Sequence, residues 1–432
     1  MKNQTRFSHH ILAGIVILVL SACSIESASL PGGEKPRELI SDLSRGDMTD
    51  YPLGELADLA DGNTAFALDL YHQLASREGN LFYSPYSISS ALAMTYAGAE
   101  GTTAEQMAEV FHFTGDVHSE FNALAQHLEG LADLNIPDDE GSPFQLNIAN
   151  AIWGQEEFHF EKEFLDTLAV HYGAGLRLLD YIQQPEESRQ VINQWVSDQT
   201  KEKIQDLIPQ GAIDSATRLV LSNAIYFKAT WLEPFEESLT QEGIFYSLNG
   251  EEISVPLMSL GTDASLPYYQ GEGFQAVAMP YLGGEVSMLV LVPDQGNFQE
   301  FEADLSAESL DLIVSRMAYT PIRLIFPKFE FESEISLAET LAAMGMPEAF
   351  SAAADFSGMT GDKDLFISDV FHKAFIGVDE EGTEAAAATA VVMKLTAAPE
   401  NPLELTVDRP FLFAIRDHQT GTVLFMGRVL RP

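Results

Sequence analysis

Cysteine is almost absent from this 432-residue chain. The only one is Cys23, so no intramolecular disulfide can form and the fold must be held by packing alone. Basic residues are also scarce: 23 Lys and Arg face 65 Asp and Glu, for a formal net charge of −42. A field of that sign repels phosphate backbones, which argues against nucleic acid as a partner and favours solubility. We read it as a solvated acidic surface. Long hydrophobic runs are missing too. The most apolar stretch near the start, Ile11 to Leu20, is about half the ~20 residues needed to span a bilayer. Catalytic signatures are lacking: there is no Gly-x-Ser-x-Gly elbow, no His-Glu-x-x-His and no Gly-rich phosphate loop, and the ten histidines show no metal spacing. The expectation is therefore a non-enzyme with no cofactor and no metal.

What is present at the N-terminus reads as an address. Lys2 and Arg6 precede the apolar run, which ends in Leu20-Ser21-Ala22-Cys23. This resembles the bacterial lipobox, in which the cysteine is lipidated and becomes the first mature residue. Residues 1–22 are then a lipoprotein signal peptide and Cys23 the lipid attachment point. Loss of Lys2 and Arg6 takes the mature charge from −42 to −44. Ser24 is not an aspartate, which by the same resemblance favours the outer membrane or cell surface. Residues 23–56 mix Pro, Gly, Ser and charge with little periodicity, and are expected to form an anchor and flexible acidic tether.

Residues 57–432 show no break and no repeat, and are expected to form one domain. Asn63 is placed as the cap of a helix bearing Phe66, Ala67, Leu70 and Leu74. Ser84-Pro85 starts another over Ser87 to Ala97, and a third is expected over Glu186 to Ile208. Leu219 to Phe227 reads as a buried central strand, and Phe329 to Glu332 and Leu403 to Val407 as half-buried ones. Phe411, Phe413 and Ile415 continue a period of two. Helices early and strands late argue for an α+β class.

Several stretches carry a family resemblance. They are Asn80-Leu-Phe-Tyr-Ser-Pro-Tyr-Ser-Ile88, Leu146-Asn-Ile-Ala-Asn-Ala-Ile-Trp153 and Leu221-Ser-Asn-Ala-Ile-Tyr-Phe-Lys228 with Trp231. Phe326-Pro-Lys-Phe329, His372-Lys-Ala374, Glu381-Gly-Thr-Glu-Ala-Ala-Ala-Ala-Thr389 and Arg409-Pro-Phe411 follow, and Phe425-Met-Gly427 closes the set. In this order they resemble the serpins over residues 57–432. The resemblance implies a serpin fold of three β-sheets with eight or nine helices and an exposed reactive loop. It also implies a suicide substrate: a protease cleaves the loop, is held as an acyl-enzyme, and is trapped when the freed loop inserts into the main sheet.

Loop chemistry can be read from the residues themselves. From Thr383, the alternate set Thr383, Ala385, Ala387, Thr389, Val391, Met393 and Leu395 is wholly small or apolar. The charges Glu384 and Lys394 fall in the other set, with Ala386, Ala388, Ala390 and Val392. That is the pattern of a strand with one buried face. The loop hinge comprises Glu380, Glu381, Gly382, Thr383, Glu384, Ala385, Ala386, Ala387, Ala388 and Thr389. Resemblance further assigns Ser84, Ser87, Asn223 and His372 to a polar shutter beneath the sheet opening. It assigns Trp231, Lys328 and Glu380 to the upper breach, with Lys328 paired to Glu380. Counting forward from Gly382 by family spacing places the reactive bond at Thr396-Ala397, with Lys394 and Leu395 as alternatives. Small residues there suit elastase-like or subtilisin-like serine proteases, with cysteine proteases as cross-class targets. The alternative function is a non-inhibitory member acting as a surface binding protein. A monomer is expected. No Lys or Arg occurs between Arg77 and Lys162, so no heparin-type activation is expected either.

Overall fold

The run Leu219–Thr230 is buried throughout except at Lys228. A strand apolar on both faces must be covered on both faces, and the architecture is built around that demand. The computed structural model describes residues 36–131, 144–261, 264–383 and 402–432. Leu219–Thr230 lies in a seven-stranded sheet. Its strands in chain order are β1 (Arg37–Leu39), β2 (Phe144–Gln155), β3 (Leu176–Leu179), β4 (Leu219–Thr230), β5 (Phe329–Ser336), β6 (Asp369–Val378) and β7 (Gly382–Thr383). Across the sheet they run β1-β3-β2-β4-β7-β6-β5.

β4 and β6 are parallel and pair directly from Val220 opposite Asp369 to Tyr226 opposite Phe375. Above that point the two-residue β7 lies between them, antiparallel to both. A second sheet joins Leu81–Tyr83, Val423–Val429, Phe411–Asp417, Val286–Pro293, Phe274–Pro280 and Ser265–Gln270. The strand Ala318–Pro327 enters that sheet by its first half. By its second half it enters a third sheet, with Glu252–Ser259, Gln241–Tyr246 and the parallel Leu403–Thr406. The shared strand thus joins the second and third sheets, while the seven-stranded sheet stands apart from both. The class is α+β, as expected.

Six longer helices are α1 (Ala57–Leu74), α2 (Pro85–Tyr96), α3 (Gly101–Phe111), α4 (Val117–Leu131), α5 (Lys162–Tyr172) and α6 (Pro185–Gln199). Ser84 caps α2 by accepting from the Ser87 N–H, and Pro85 sits where no amide donor is needed. The described residues hold ten α-helices rather than eight or nine. The excess is accounted for by short segments such as Ser357–Thr360.

Three further expectations are corrected. Asn63 does not cap a helix: α1 begins at Ala57 because Leu56, Leu59 and Ala60 are already core residues. Asn63 lies mid-helix and buried, where its Nδ2 donates to the Val423 carbonyl at 2.9 Å. The helix expected to reach Ile208 stops at Gln199. The Thr200 hydroxyl donates back to the Val196 carbonyl and accepts from the Ile204 N–H, which diverts the backbone from helix. The tether expected to run to residue 56 is shorter. Pro36–Pro432 forms one compact unit. β1 pairs antiparallel with β3, Arg45 bonds Asn122 and Glu129, and the Gly46 N–H reaches the Val170 carbonyl. These bonds satisfy backbone groups that a free tether would leave to water. The expected signal peptide, the expected lipid attachment at Cys23 and residues 24–35 of the expected tether lie outside the described residues.

Truncation checks the revised boundary. Removal of residues 1–35 is expected to leave the melting temperature unchanged, whereas removal through Gly46 strips β1 and is expected to lower it by several degrees in calorimetry.

Candidate functional site: the seam between β4 and β6 and the hinge above it

Strand alternation puts Asn150 of β2, Asn223 of β4 and His372 of β6 in one row, each opposite the next. All three face α2. The His372 imidazole and the Asn223 amide are joined directly, Nδ1–H donating to Oδ1. The tautomer follows from the other ring nitrogen, because Nε2 accepts the Ser84 N–H at 3.3 Å. Asn223 Nδ2 donates to Ser87 Oγ at 2.8 Å and to Asn150 Oδ1 at 2.6 Å. Asn150 Nδ2 donates to the Ser87 carbonyl, and Ser84 Oγ donates to the Leu424 carbonyl. Ser84, Ser87, Asn223 and His372 are all completely buried. Desolvation therefore pushes the His372 pKa down to about 3, and the ring is neutral at neutral pH. The network ties the two central strands to each other and to the helix beneath.

The upper end of the seam is held differently. Trp231 lies just beyond β4 and stacks on Tyr281, with centroids 4.5 Å apart and planes 11° apart. Its indole N–H donates to the Asp379 carbonyl, and its backbone N–H to the Glu381 carbonyl. Glu380 accepts from Lys328 Nζ and from the Thr240 hydroxyl, each at 2.8 Å. Burial acts to raise the Glu380 carboxyl, but these two donors outweigh it and hold it below the usual glutamate range. Gly382 is required by close approach and not by torsion. A Cβ there would lie 2.1 Å from the Ala229 carbonyl oxygen. Thr383 is buried, and its hydroxyl bonds the Tyr281 hydroxyl at 2.7 Å.

The structure thus brings Ser84, Ser87, Asn223 and His372 into one network, and Trp231, Lys328 and Glu380 with Glu381, Gly382 and Thr383 into another. Residues Glu384 to Thr389 of the hinge, and Lys394, Leu395, Thr396 and Ala397 at the reactive bond, lie outside the described residues. Asn150, Thr240 and Tyr281 were missed from sequence. Asn150 had a signal: it interrupts the inward set Leu146, Ile148, Ile152 of its strand with an amide. Thr240 and Tyr281 had none.

The fold is thus a mixed sheet whose two central parallel strands are parted at one end by Gly382–Thr383. The family described as Serpin (serine protease inhibitor) matches residues 61–432. An uncharacterized serpin-like protein of Thermococcus kodakarensis is 40% identical over 370 residues, 85% of this chain and 84% of that one. The leukocyte elastase inhibitor of Xenopus laevis is 38% identical over 387 residues, 87% of this chain and 100% of the relative. Among solved structures, uncleaved ovalbumin superposes with a TM-score of 0.76 at 27% identity, covering 87% of this chain and 100% of its own. The thermophilic serpin tengpin in its native state gives 0.78 at 28%, covering 92% and 100%. The chain belongs to the serpin family.

The buried histidine sets an acid limit. The unfolded state takes up a proton near pH 6.5, while folded His372 resists it until about 3. Its contribution is complete above 6.5 and is lost as pH falls through that window. His118, pushed down to about 4 by burial, and His418 act in the same direction. His372→Gln is expected to reduce the slope of unfolding free energy between pH 6 and 4.5 by one proton, about 1.4 kcal/mol per pH unit, in denaturant titrations.

Proposed function

We propose that this chain is a suicide-substrate inhibitor of serine endopeptidases, which traps its target by inserting its cleaved loop between β4 and β6. One observation carries the reading: Gly382 and Thr383 already form a strand between these two, antiparallel to both. Continuing that register past Thr383 would set Thr389 in the row of Asn223 and His372. Its hydroxyl could then replace the bond that insertion must break, so that no buried polar group is stranded. The same register places Glu384, Ala386, Ala388 and Ala390 on the opposite, more exposed face, which tolerates the charge.

The chemistry is that of the protease. Its nucleophile attacks the carbonyl of Thr396, the amine of Ala397 leaves with the proton, and an ester or thioester holds the enzyme to the loop. Strand insertion then carries the bound enzyme away and distorts its site before water can attack the acyl bond. Loop composition and the elastase inhibitors among the relatives support an elastase-like or subtilisin-like target, with cysteine proteases as a second class. The protein acts as a monomer outside the cytoplasm, anchored through lipid on Cys23, and needs no polyanion.

Incubating protein lacking residues 1–23 with elastase, subtilisin, trypsin and chymotrypsin is expected to give a denaturant-stable complex and a released peptide beginning at Ala397. Absence of any adduct across the panel would leave the surface-binding alternative. Thr383→Arg should turn inhibitor into substrate, because it forces an unpaired charge into the buried site beside Tyr281. Full trapping by that variant would refute insertion. Thr389→Val should still trap, but its cleaved form should melt several degrees below cleaved wild type while the intact forms melt alike.

A further inference from the structure

Lys228 is the one residue of β4 that is not buried, and it stands on the outer face of the sheet near the upper end of the seam. Lys228 and Tyr226 of β4, with Phe375 and Gly377 of β6, line an open cleft of about 890 Å³. Several charges at its rim are already committed. Lys328 donates to Glu380, Lys203 lies over the ring of Phe375, and Asp379 Oδ1 accepts the N–H groups of Glu381 and Gly382. Glu202 and Glu330 complete the rim. The Lys228 ammonium has no hydrogen bond or ion pair to any described residue. In a chain of 65 acids and ten lysines, a lysine left unpaired on a central strand calls for a reason.

The pairings of β7 say what belongs beside it. Gly382 is opposite Thr230 and Thr383 opposite Ala229, while on the other flank Thr383 is opposite Val378. One further step in both ladders sets position 384 between Lys228 and Gly377. Strand alternation turns that side chain to the outer face, away from Tyr281. The residue at 384 is a glutamate. Directly opposed residues of an antiparallel pair have Cβ atoms about 4.5–5.5 Å apart, well inside the joint reach of a lysine and a glutamate. Gly377 supplies the room on the other flank. A Cβ there would meet Glu330 Oε2 at 3.6 Å and the Phe375 ring at 3.7 Å, so a longer side chain would fill the space that Glu384 needs.

Bringing Glu384 into this row without a cation is unfavourable. The row ends in Glu330, which is paired with Gly377, and Asp379 and Glu381 lie just above it in a chain of net charge −42. We infer that Lys228 is the positioning residue for the first step of strand insertion: it stands unpaired in the intact protein and receives the Glu384 carboxylate as the hinge enters the seam. The inference rests on the insertion reading and names the contact that starts it. An ion pair present only once the hinge has entered favours insertion over the competing hydrolysis of the acyl bond, because it does not stabilise the starting state.

The test is a charge exchange in the protein lacking residues 1–23, which keeps the compact unit Pro36–Pro432. The readout is the number of inhibitor molecules consumed per protease trapped, at low and at high salt. Lys228→Glu and Glu384→Lys are each expected to raise that number about threefold at low salt. The double variant should return close to wild type, because the pair is restored with its charges reversed. High salt should raise the number for wild type and leave Lys228→Met unmoved. The intact forms should melt alike. Single variants that trap as well as wild type, or a double variant no better than the worse single one, would overturn the assignment while leaving insertion standing. If Lys228→Glu does not fold, Lys228→Met and Glu384→Gln replace the exchange. Equal losses that do not deepen on combination support the pair, and additive losses overturn it. A wild type that traps no protease would sink both readings.

Discussion

Everything in this structure turns on the direct pairing of β4 with β6, fastened at its middle by the imidazole of His372 on the amide of Asn223. Two parallel central strands are usually the least movable part of a sheet. Here their contact is a polar one, buried in an apolar surround, and it borrows its remaining partners from the start of α2. A buried hydrogen bond is costly to leave unmade but cheap to exchange for an equivalent one.

The two ends of the seam differ in kind. At the centre, neutral groups with complete satisfaction hold the strands: His372 is uncharged, and Asn223 uses both its donor and its acceptor functions. At the top, the Lys328–Glu380 pair and the Trp231–Tyr281 stack hold the hinge beside a partly open sheet. Lys328 is substantially exposed, so that ion pair is weak as a stabiliser and serves better to fix where the hinge turns. The close passage of Gly382 against β4 belongs to the same design.

The sequence supports this division of labour at the level of composition. With no disulfide available, the sheet is held only by packing and hydrogen bonds.

Local pattern was enough for the buried strand β4, for the Ser84-Pro85 start of α2 and for the family, because each depends on residues close in sequence. The grouping of Ser84, Ser87, Asn223 and His372 came instead from the family resemblance, which left out Asn150. Local pattern failed where distant contacts decide. Asn63 looks like a cap until its amide finds Val423, some 360 positions away. The segment after Gln199 keeps a helical apolar spacing, but Thr200 turns it so that Ile204 and Ile208 can fill a gap under α6. Residues 36–56 look like a linker because their bonds are almost all to other elements. What the sequence determined alone was the buried strand β4, the start of α2 and the α+β class, and by family resemblance the grouping of Ser84, Ser87, Asn223 and His372. Only the tertiary structure decided that Gly382–Thr383 lies between β4 and β6, that Asn150, Thr240 and Tyr281 complete the two networks, and that residues 36–56 join the domain, because each of those is a contact between segments whose separation in the chain carries no signal.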